Sequence, residues 1–241
     1  MKEKLRLFYG ISKWYLFGAG AVIILAAFLF LSAQTARRTV LAGVLLDCPK
    51  IVSQEAVEAL GDGFLEHLGR DPKLTRVRIV HDLPYTAEAE TPGDNFAAID
   101  ALTEYIAAGR LDFLAGPQAA MENLAYSDFF EDLRNVLSPE QLEAFAGDLR
   151  YMDLAVVRQL EQMAENKSYP ENFTLPDPGK PEEMEEPVPV FVDLTRQDAL
   201  APIFGEEPVL FAVARNTARP ETARDFMEYL AGRLPPVSEK E

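Results

Sequence analysis

Residues 39–46 read TVLAGVLL, an uninterrupted apolar run with β-branched side chains that ends at Asp47-Cys48-Pro49. A short run of this kind, followed by turn-forming residues, is typical of a strand that is buried on both faces of a sheet. Ser53 comes next as a helix N-cap. The apolar side chains after it repeat at helical spacing, and they are Val57, Leu60, Phe64 and Leu68. The folded part of the chain is therefore expected to begin with a strand and a helix.

The same alternation continues toward the C-terminus. Residues 76–80 (RVRIV) alternate between basic and apolar side chains, which predicts a second strand. Pro92-Gly93-Asp94 opens a second helix, whose expected apolar face consists of Phe96, Ile99, Leu102 and Ile106. Residues 111–115 (LDFLA) predict a third strand, stopped by Gly116-Pro117. Strands that alternate with helices in this way are typical of α/β proteins, and we predict an α/β fold with a parallel sheet.

The second half of the chain predicts more helices and strands around one unusual segment. The expected elements are a partial helix at 122–136, helices from Ser138-Pro139 and at 156–164, strands at 190–194 and 209–214, and a closing amphipathic helix from Pro220 that carries Ala223, Phe226, Met227 and Leu230. Residues 169–189 hold six prolines and six acidic side chains. Because proline lacks the N–H that regular pairing needs, we predict an extended, exposed acidic loop there.

Before the first strand, Trp14–Ser32 (WYLFGAGAVIILAAFLFLS) is a run of nineteen residues without a charge. As a helix it would span roughly 28 Å, close to the hydrocarbon thickness of a bilayer. Four basic residues precede it and two follow it, which places the N-terminus in the cytoplasm. We therefore predict a single-pass protein of the cell membrane, with a stub at 1–13, an extracytoplasmic domain at 39–234 and a tail at 235–241. A cleaved signal peptide and a buried core helix are the alternatives for this segment.

The composition excludes several classes of function. From Thr39 onward, 38 acidic residues face 17 basic ones, a net charge of −21, so the basic face that DNA or RNA requires is not expected. Cys48 is the only cysteine, which excludes an intrachain disulfide and a cysteine-cluster zinc site, and we expect it to be a small buried side chain. Only His67 and His81 occur, and no phosphate-binding or dinucleotide fingerprint is present. We predict no cofactor and no nucleic-acid partner.

Four separated stretches together resemble a known family. They are Asp112–Pro117 (DFLAGP), residues 124–137 (LAYSDFFEDLRNVL), residues 188–194 (VPVFVDL) and residues 211–230 (FAVARNTARPETARDFMEYL). Their order, and above all the closing pattern N-T-x-x-P-E-x-A-x-x-F-x-x-Y-L, resembles the type II extracellular (periplasmic) solute-binding proteins. The resemblance implies a solute-binding domain, and the short segment between Leu137 and Val188 implies that its second lobe is reduced.

The resemblance also has a structural consequence for the closing helix. If the motif has the same place in this chain, the helix docks on the first lobe. Phe226, Met227 and Leu230 are then expected to be buried beside the strands at 39–46 and 111–115, because the apolar face of an amphipathic helix needs cover.

Residues at the ends of the expected strands form the candidate ligand site. Asp47 and Asp193 lie at strand ends, and Gly116-Pro117-Gln118 connects a strand to a helix, where free backbone N–H groups could face a ligand. An ordinary strand-to-helix turn is the alternative for that connection. With Asp82, the two aspartates also match the strand-end carboxylates of magnesium-dependent phosphohydrolases.

These patterns favour a non-enzymatic, membrane-tethered module that binds or senses a solute outside the cytoplasm. A structural or interaction protein of the cell envelope that keeps the fold without a ligand is the alternative, and a metal-dependent hydrolase is the third hypothesis. The expected partners are the lipid bilayer, through the N-terminal helix, and either a small molecule or a transporter or other envelope protein.

Overall fold

The computed structural model describes residues 37–49, 52–89, 91–166, 173–195 and 197–235. The expected membrane anchor Trp14–Ser32, the stub 1–13 and the tail beyond residue 235 lie outside these ranges. No helix within them is long and apolar enough to cross a membrane. Nearly all of the domain expected at 39–234 falls inside them.

The described residues contain six strands, and all of them belong to one mixed sheet. In chain order they are β1 (Arg38–Leu45), β2 (Thr75–Val80), β3 (Phe113–Pro117), β4 (Leu149–Asp153), β5 (Pro187–Asp193) and β6 (Val209–Val213). Across the sheet the order is β2-β1-β3-β6-β5-β4. β1 runs parallel to β3, β6 is antiparallel to both β3 and β5, and β4 is antiparallel to β5. The α/β class is confirmed, and β1 and β3 are parallel, as the alternation of strands and helices predicted. The sheet as a whole is mixed, because β6 returns between β3 and β5 in the reverse direction.

Seven α-helices accompany these strands in the described ranges. They are α1 (Gln54–His67), α2 (Phe96–Ala107), α3 (Gln118–Leu124), α4 (Pro139–Ala144), α5 (Leu154–Asn166), α6 (Ala201–Phe204) and α7 (Pro220–Leu230). Two of them begin at the expected caps. Ser53 Oγ accepts a hydrogen bond from the Ala56 N–H at 3.2 Å, and Ser138 forms a reciprocal capping box with Gln141.

The sheet is buried on both faces because apolar residues occupy successive positions in its strands. Alternate side chains enter opposite layers, with Phe113 and Phe211 on one face and Leu114 and Leu210 on the other. α1 and α7 cover the first face, and α2 and α3 cover the second. The domain is therefore a three-layer α/β/α sandwich, and the apolar run at 39–46 correctly predicted a strand buried on both sides.

α7 docks on the first face of the sheet, as the resemblance implied. Its Phe226, Met227 and Leu230 are buried. The centroid of the Phe226 ring lies 4.8 Å from that of Phe113 in β3 and 4.9 Å from that of Phe64 in α1. Side chains of β1 belong to the same apolar core. The predicted burial of this helix beside the first and third strands is confirmed.

A buried ion pair fixes the segment that leads into α7. Asp112, immediately before β3, is 0% exposed and accepts hydrogen bonds from Arg219 Nε at 2.9 Å and from the Thr217 hydroxyl at 2.7 Å. It also accepts the Ala42 N–H of β1 at 2.6 Å. The carboxylate thus joins β1, β3 and the loop before α7. Thr217 of the closing motif and Arg219, at one of its variable positions, therefore have a structural role.

The buried face of α2 agrees with the prediction except at its start. Leu102 and Ile106 are buried and Ile99 packs against the same apolar core, but Ala98 is buried in place of Phe96, which is 66% exposed. Residues 92–95 form a 3₁₀ turn, so the α-helix begins only at Phe96. Successive residues are about 100° apart around an α-helix, so Phe96 lies about 200° from Ala98, on the opposite side of the helix.

The stretch between β3 and β5 also departs from the prediction. The helix expected within 122–136 ends at Leu124, and Phe130 then forms a β-bridge with Ala214 of the segment after β6. No sequence pattern predicts β4, because its residues LRYMD are few, partly polar and surrounded by helical signals. The helix predicted at 156–164 is confirmed by α5.

The acidic, proline-rich segment is a surface excursion in part. Its described residues 173–186 are mostly exposed, as predicted. Asp153 at the end of β4 nevertheless holds this segment in place, because its carboxylate accepts hydrogen bonds from two backbone N–H groups of the segment, at 2.9 and 3.0 Å. Burial acts to raise the pKa of Asp153, but these donors bring that pKa below its ordinary value. Pro187 and Pro189 lie in β5 rather than in the loop, next to a register shift in the β4–β5 pairing that suits strand prolines.

The structure has no room for a side chain at position 43 in β1, where the sequence has glycine. Gly43 pairs with Phe113 of β3, whose ring occupies the place that a Cβ at Gly43 would take. We expect Gly43→Ala to lower the free energy of unfolding by about 1–3 kcal/mol, because the Phe113 ring must leave its stacked position against Phe211. Gly147→Ala is the control, since a Cβ there meets nothing within 4 Å. Chemical denaturation compares the two variants, and equal midpoints would contradict this packing.

Candidate functional site

An open groove of about 730 Å³ lies at the carboxyl ends of the parallel strands β1 and β3. Segments 47–49, 86–88, 117–119 and 207–208 line it together with Glu122. These segments follow β1, follow β2, join β3 to α3, and precede β6. The carboxyl edge of parallel strands is where α/β proteins bind their ligands, because the loops that follow the strands converge there.

Asp47 is held in this groove by its backbone and by one hydrogen bond. Its φ of 47° lies in the left-handed region, which aspartate and asparagine adopt more readily than most residues. Its Oδ2 atom accepts the Ala87 N–H at 2.8 Å. Its Oδ1 atom has no hydrogen-bond partner among the described residues. The predicted site residue Asp47 therefore lines the groove with one carboxylate oxygen free to accept a further hydrogen bond.

The wall after β2 is fixed by an asparagine that the sequence did not single out. Asn95, nearly buried at the start of α2, accepts the Thr86 N–H at 3.0 Å and donates to the Thr86 carbonyl at 2.8 Å. The next residue, Ala87, donates to Asp47. These three bonds hold the backbone of segment 86–88 against the end of β1.

The opposite wall is formed where β3 meets α3. β3 continues through Pro117 and α3 begins at Gln118, so no loop separates them. The Gln118 N–H donates to the Pro208 carbonyl at 2.8 Å, and its side-chain amide donates to Glu122 Oε1 at 2.5 Å. The expectation of a free N–H at Gln118 is wrong, because β6 starts beside it and takes that donor. Pro117 and Gln118 still line the groove, as predicted.

Two predicted site residues lie outside the groove lining. Gly116 packs against β1, where a Cβ would come within 3.0 Å of the Leu46 Cβ and carbonyl oxygen. Asp193 accepts a hydrogen bond from Arg150 at 2.5 Å, and its other oxygen is bonded by Thr195. Gly116 is therefore a close-packing position, and Asp193 closes an ion pair across β4 and β5.

Asp47, Asp82 and Asp193 do not form a metal site. Asp82 is exposed after β2, and Asp47 and Asp193 have different partners. In the part of the chain that the structure describes, no three His, Cys, Asp or Glu side chains are grouped closely enough to hold a metal ion. The strand-end aspartates thus lack the arrangement that the hydrolase hypothesis needs.

Cys48 lines the groove beside Asp47 and is half-buried, not fully buried as expected. Burial raises the pKa of its thiol to about 12, and the charge of Asp47 adds to that effect. Since the thiolate is the nucleophilic form, the side chain is a neutral and unreactive thiol near pH 7.

The groove is acidic. Carboxylates of Asp47, Glu88, Glu122 and Glu207 line it, and no lysine or arginine is among the described residues that do so. Sequence reasoning missed three of these four. Glu122 could have been found, because it lies four residues after Gln118 on the same helix face. Glu88 and Glu207 lie in irregular segments, and only the tertiary structure brings them here.

Comparison of the chain with protein-family models, with curated proteins and with solved structures gives no match. The resemblance to extracellular solute-binding proteins therefore stays a prediction from its motifs. An assignment of function has to rest on the groove and on the charges around it.

Proposed function

We propose that this chain is a membrane-tethered, extracytoplasmic binding module of the solute-binding-protein type, without enzymatic activity, and that its ligand is a small organic cation. The observation that carries the proposal is the groove at the carboxyl ends of β1 and β3, lined by four carboxylates. The tether is the apolar segment Trp14–Ser32, which ends six residues before Arg38 at the start of β1.

The size and place of the groove support a small-molecule ligand. Its volume of about 730 Å³ lies within the range of roughly 300–1,000 Å³ that is usual for such sites. The segments around it are held by hydrogen bonds in which Asp47 and Asn95 accept and the Gln118 N–H donates, so its walls exist before a ligand arrives. A preformed site loses less conformational entropy on binding than a mobile one.

The charges around the groove support a cation. Carboxylates accept charge-assisted hydrogen bonds from ammonium and guanidinium groups, and such bonds are roughly twice as strong as neutral ones. An anionic solute would meet like charges on both walls of the groove. The free Oδ1 of Asp47 and the carboxylates of Glu88 and Glu207 are the acceptors that we assign to the ligand.

If the protein were instead a structural or interaction protein of the envelope, we would expect an exposed apolar docking surface. The large apolar side chains that are exposed in the described ranges are Leu74, Phe96 and Leu175, which belong to three different parts of the fold. They are separated in the sequence and do not share a secondary-structure element. The groove is therefore better supported as a binding site than an apolar docking surface.

We expect Asp47→Asn to weaken cation binding about tenfold, because it removes one charge-assisted hydrogen bond to the ligand. Asparagine suits the left-handed backbone of this position, and its carbonyl oxygen can still accept the Ala87 N–H, so the fold is retained. Isothermal titration calorimetry of the full chain in lipid nanodiscs, with putrescine, spermidine, choline and arginine as probes, measures the affinity.

Asp62→Asn is the matched control, since Asp62 is exposed on α1 and outside the groove lining. It removes the same charge from the protein and should leave the affinity unchanged. Succinate and glutamate are the anionic probes. Binding of these anions in preference to the cations, or equal losses in the two variants, would contradict the proposed site.

A further inference from the structure

The basic residues of the domain divide into two groups that differ in their partners. Every lysine and arginine that the structure describes between residues 110 and 233 forms an ion pair with a carboxylate. The six described before residue 110 form none within the described ranges, and all six are exposed. They are Arg37, Arg38, Arg70, Lys73, Arg76 and Arg78, and we call the last four, which lie in β2 and in the turn before it, the basic edge.

The basic edge occupies β2 and the turn that enters it. β2 is the outermost strand on its side of the sheet, beside β1. The Nε atom of Arg76 donates to Thr39 Oγ1 at 3.1 Å, so the start of β2 lies beside the start of β1. Arg78, two residues further along, projects to the same side of the strand as Arg76. Arg70 and Lys73 belong to the turn that enters β2.

Protection of an edge strand accounts for only part of this cluster. Exposed sheet edges often carry lysine or arginine, which discourage pairing with another chain. That reason applies to Arg76 and Arg78 in β2, whereas Arg70 and Lys73 lie outside the edge strand. The one acid among residues 70–80 is Asp71, and it accepts the backbone N–H of Lys73. In a domain with so many acids, a cluster of unpaired cations favours an anionic partner.

We propose that the basic edge binds the anionic headgroups of the lipid bilayer in which the chain is anchored. The inference rests on the membrane tether of the proposed function, and not on its ligand. Residues 33–37 separate the apolar segment from β1, and five residues span at most about 18 Å. The start of β1 therefore stays near the headgroups, where basic side chains are attracted to anionic lipids.

Docking by this edge would leave the groove free for its ligand. β1 has eight residues, about 26 Å of extended chain, and the groove lies at its carboxyl end. Arg76 thus lies beside the start of β1, at the opposite end of that strand from the acidic groove, and Arg78 lies beside its residues 42–44. With the basic edge on the headgroups, the acidic groove is kept away from the negative bilayer surface that would repel it.

Contact-range fluorescence quenching in nanodiscs tests the docking. The full chain with Leu74→Cys carries a thiol-reactive dye at a position that is 67% exposed between Lys73 and Arg76. Cys48, with its thiol pKa raised to about 12, labels far more slowly. The matched control is the same dye on Leu175→Cys, 44% exposed in the acidic segment. The discs contain a lipid with a nitroxide on its headgroup, in either phosphatidylcholine alone or a mixture with phosphatidylglycerol.

We expect the dye at position 74 to be quenched about threefold more in the phosphatidylglycerol discs than in the phosphatidylcholine discs. The dye at position 175 should be quenched equally in both kinds of disc. Salt at about 0.5 M should remove the difference, because it screens exposed charges. Arg76→Gln with Arg78→Gln should reduce it, whereas Arg134→Gln with Arg158→Gln, a pair of ion-paired arginines, should not.

Equal quenching of position 74 in the two kinds of disc overturns the lipid-docking proposal while leaving the tether intact. A chain that does not insert into either disc overturns the tether and, with it, the docking. If quenching is absent in both discs and the anisotropy of the dye at position 74 rises with polyglutamate, the edge serves an acidic protein partner and the lipid proposal falls.

Discussion

Replacing Phe226 with alanine should lower the free energy of unfolding by about 3–5 kcal/mol. Phe226 is 0% exposed, and its ring centroid lies within 5 Å of those of Phe64 and Phe113. Truncation removes the contacts that hold α7 to α1 and to the centre of the sheet, and the surrounding aromatic rings cannot collapse fully into the space. Urea denaturation followed by circular dichroism measures the loss.

Phe96→Ala is the matched control for this prediction. It removes the same side chain from a helix, but Phe96 is 66% exposed, so its loss should change the stability by about 0.5 kcal/mol or less. Comparable losses in the two variants would mean that α7 is not packed on the sheet. The structural support for the closing motif, and for the resemblance that depends on it, would then be lost.

Asp112→Ala should destabilise the protein by about 3–5 kcal/mol, because it breaks a buried ion pair from one side only. The substitution leaves the Ala42 N–H and the Thr217 hydroxyl without their acceptor, and it leaves Arg219 without a counter-charge. Arg219 retains 29% side-chain exposure and can partly reach water, which places the expected loss toward the lower end of this range. Equilibrium unfolding measures the change.

Glu104→Ala provides the comparison, because the Glu104–Arg110 ion pair is exposed on both sides. Its loss should cost about 0.5 kcal/mol or less. A double-mutant cycle with Arg219→Ala separates the pair from the other two bonds of Asp112. A coupling energy near zero between Asp112 and Arg219 would contradict the conclusion that this ion pair stabilises the contact between β3 and the start of α7.

Local patterns predicted the elements whose signals lie within a few residues. The cap at Ser53, the helix start at Ser138-Pro139 and the apolar face of α7 were all identified from the sequence, and each is present in the structure. For α2, Leu102 and Ile106 of the predicted face are buried, but Phe96 is exposed, because it lies in the first turn, about 200° around the helix from the buried Ala98. The spacing of apolar residues thus predicted the middle of this helix better than its first turn.

The candidate site was only partly predictable for a related reason. Asp47, Pro117 and Gln118 lie at strand ends, and the strand-end rule placed them in the groove. The same rule selected Asp193, but in the structure this residue forms an ion pair with Arg150, which lies in the unpredicted strand β4. Glu88 and Glu207 come from irregular segments, whose positions depend on partners far away in the sequence.

The sequence by itself determined the α/β class, the burial of the first strand on both faces and the amphipathic helix that covers one of them. These features follow from the local spacing of apolar side chains, which backbone geometry converts directly into faces. Only the tertiary structure decided the mixed direction of the sheet, the place of β6 between β3 and β5, and the meeting of Asp112 with Arg219 more than a hundred residues later. Such long-range pairings are fixed by the cooperative packing of the whole core, and no short window of sequence contains them.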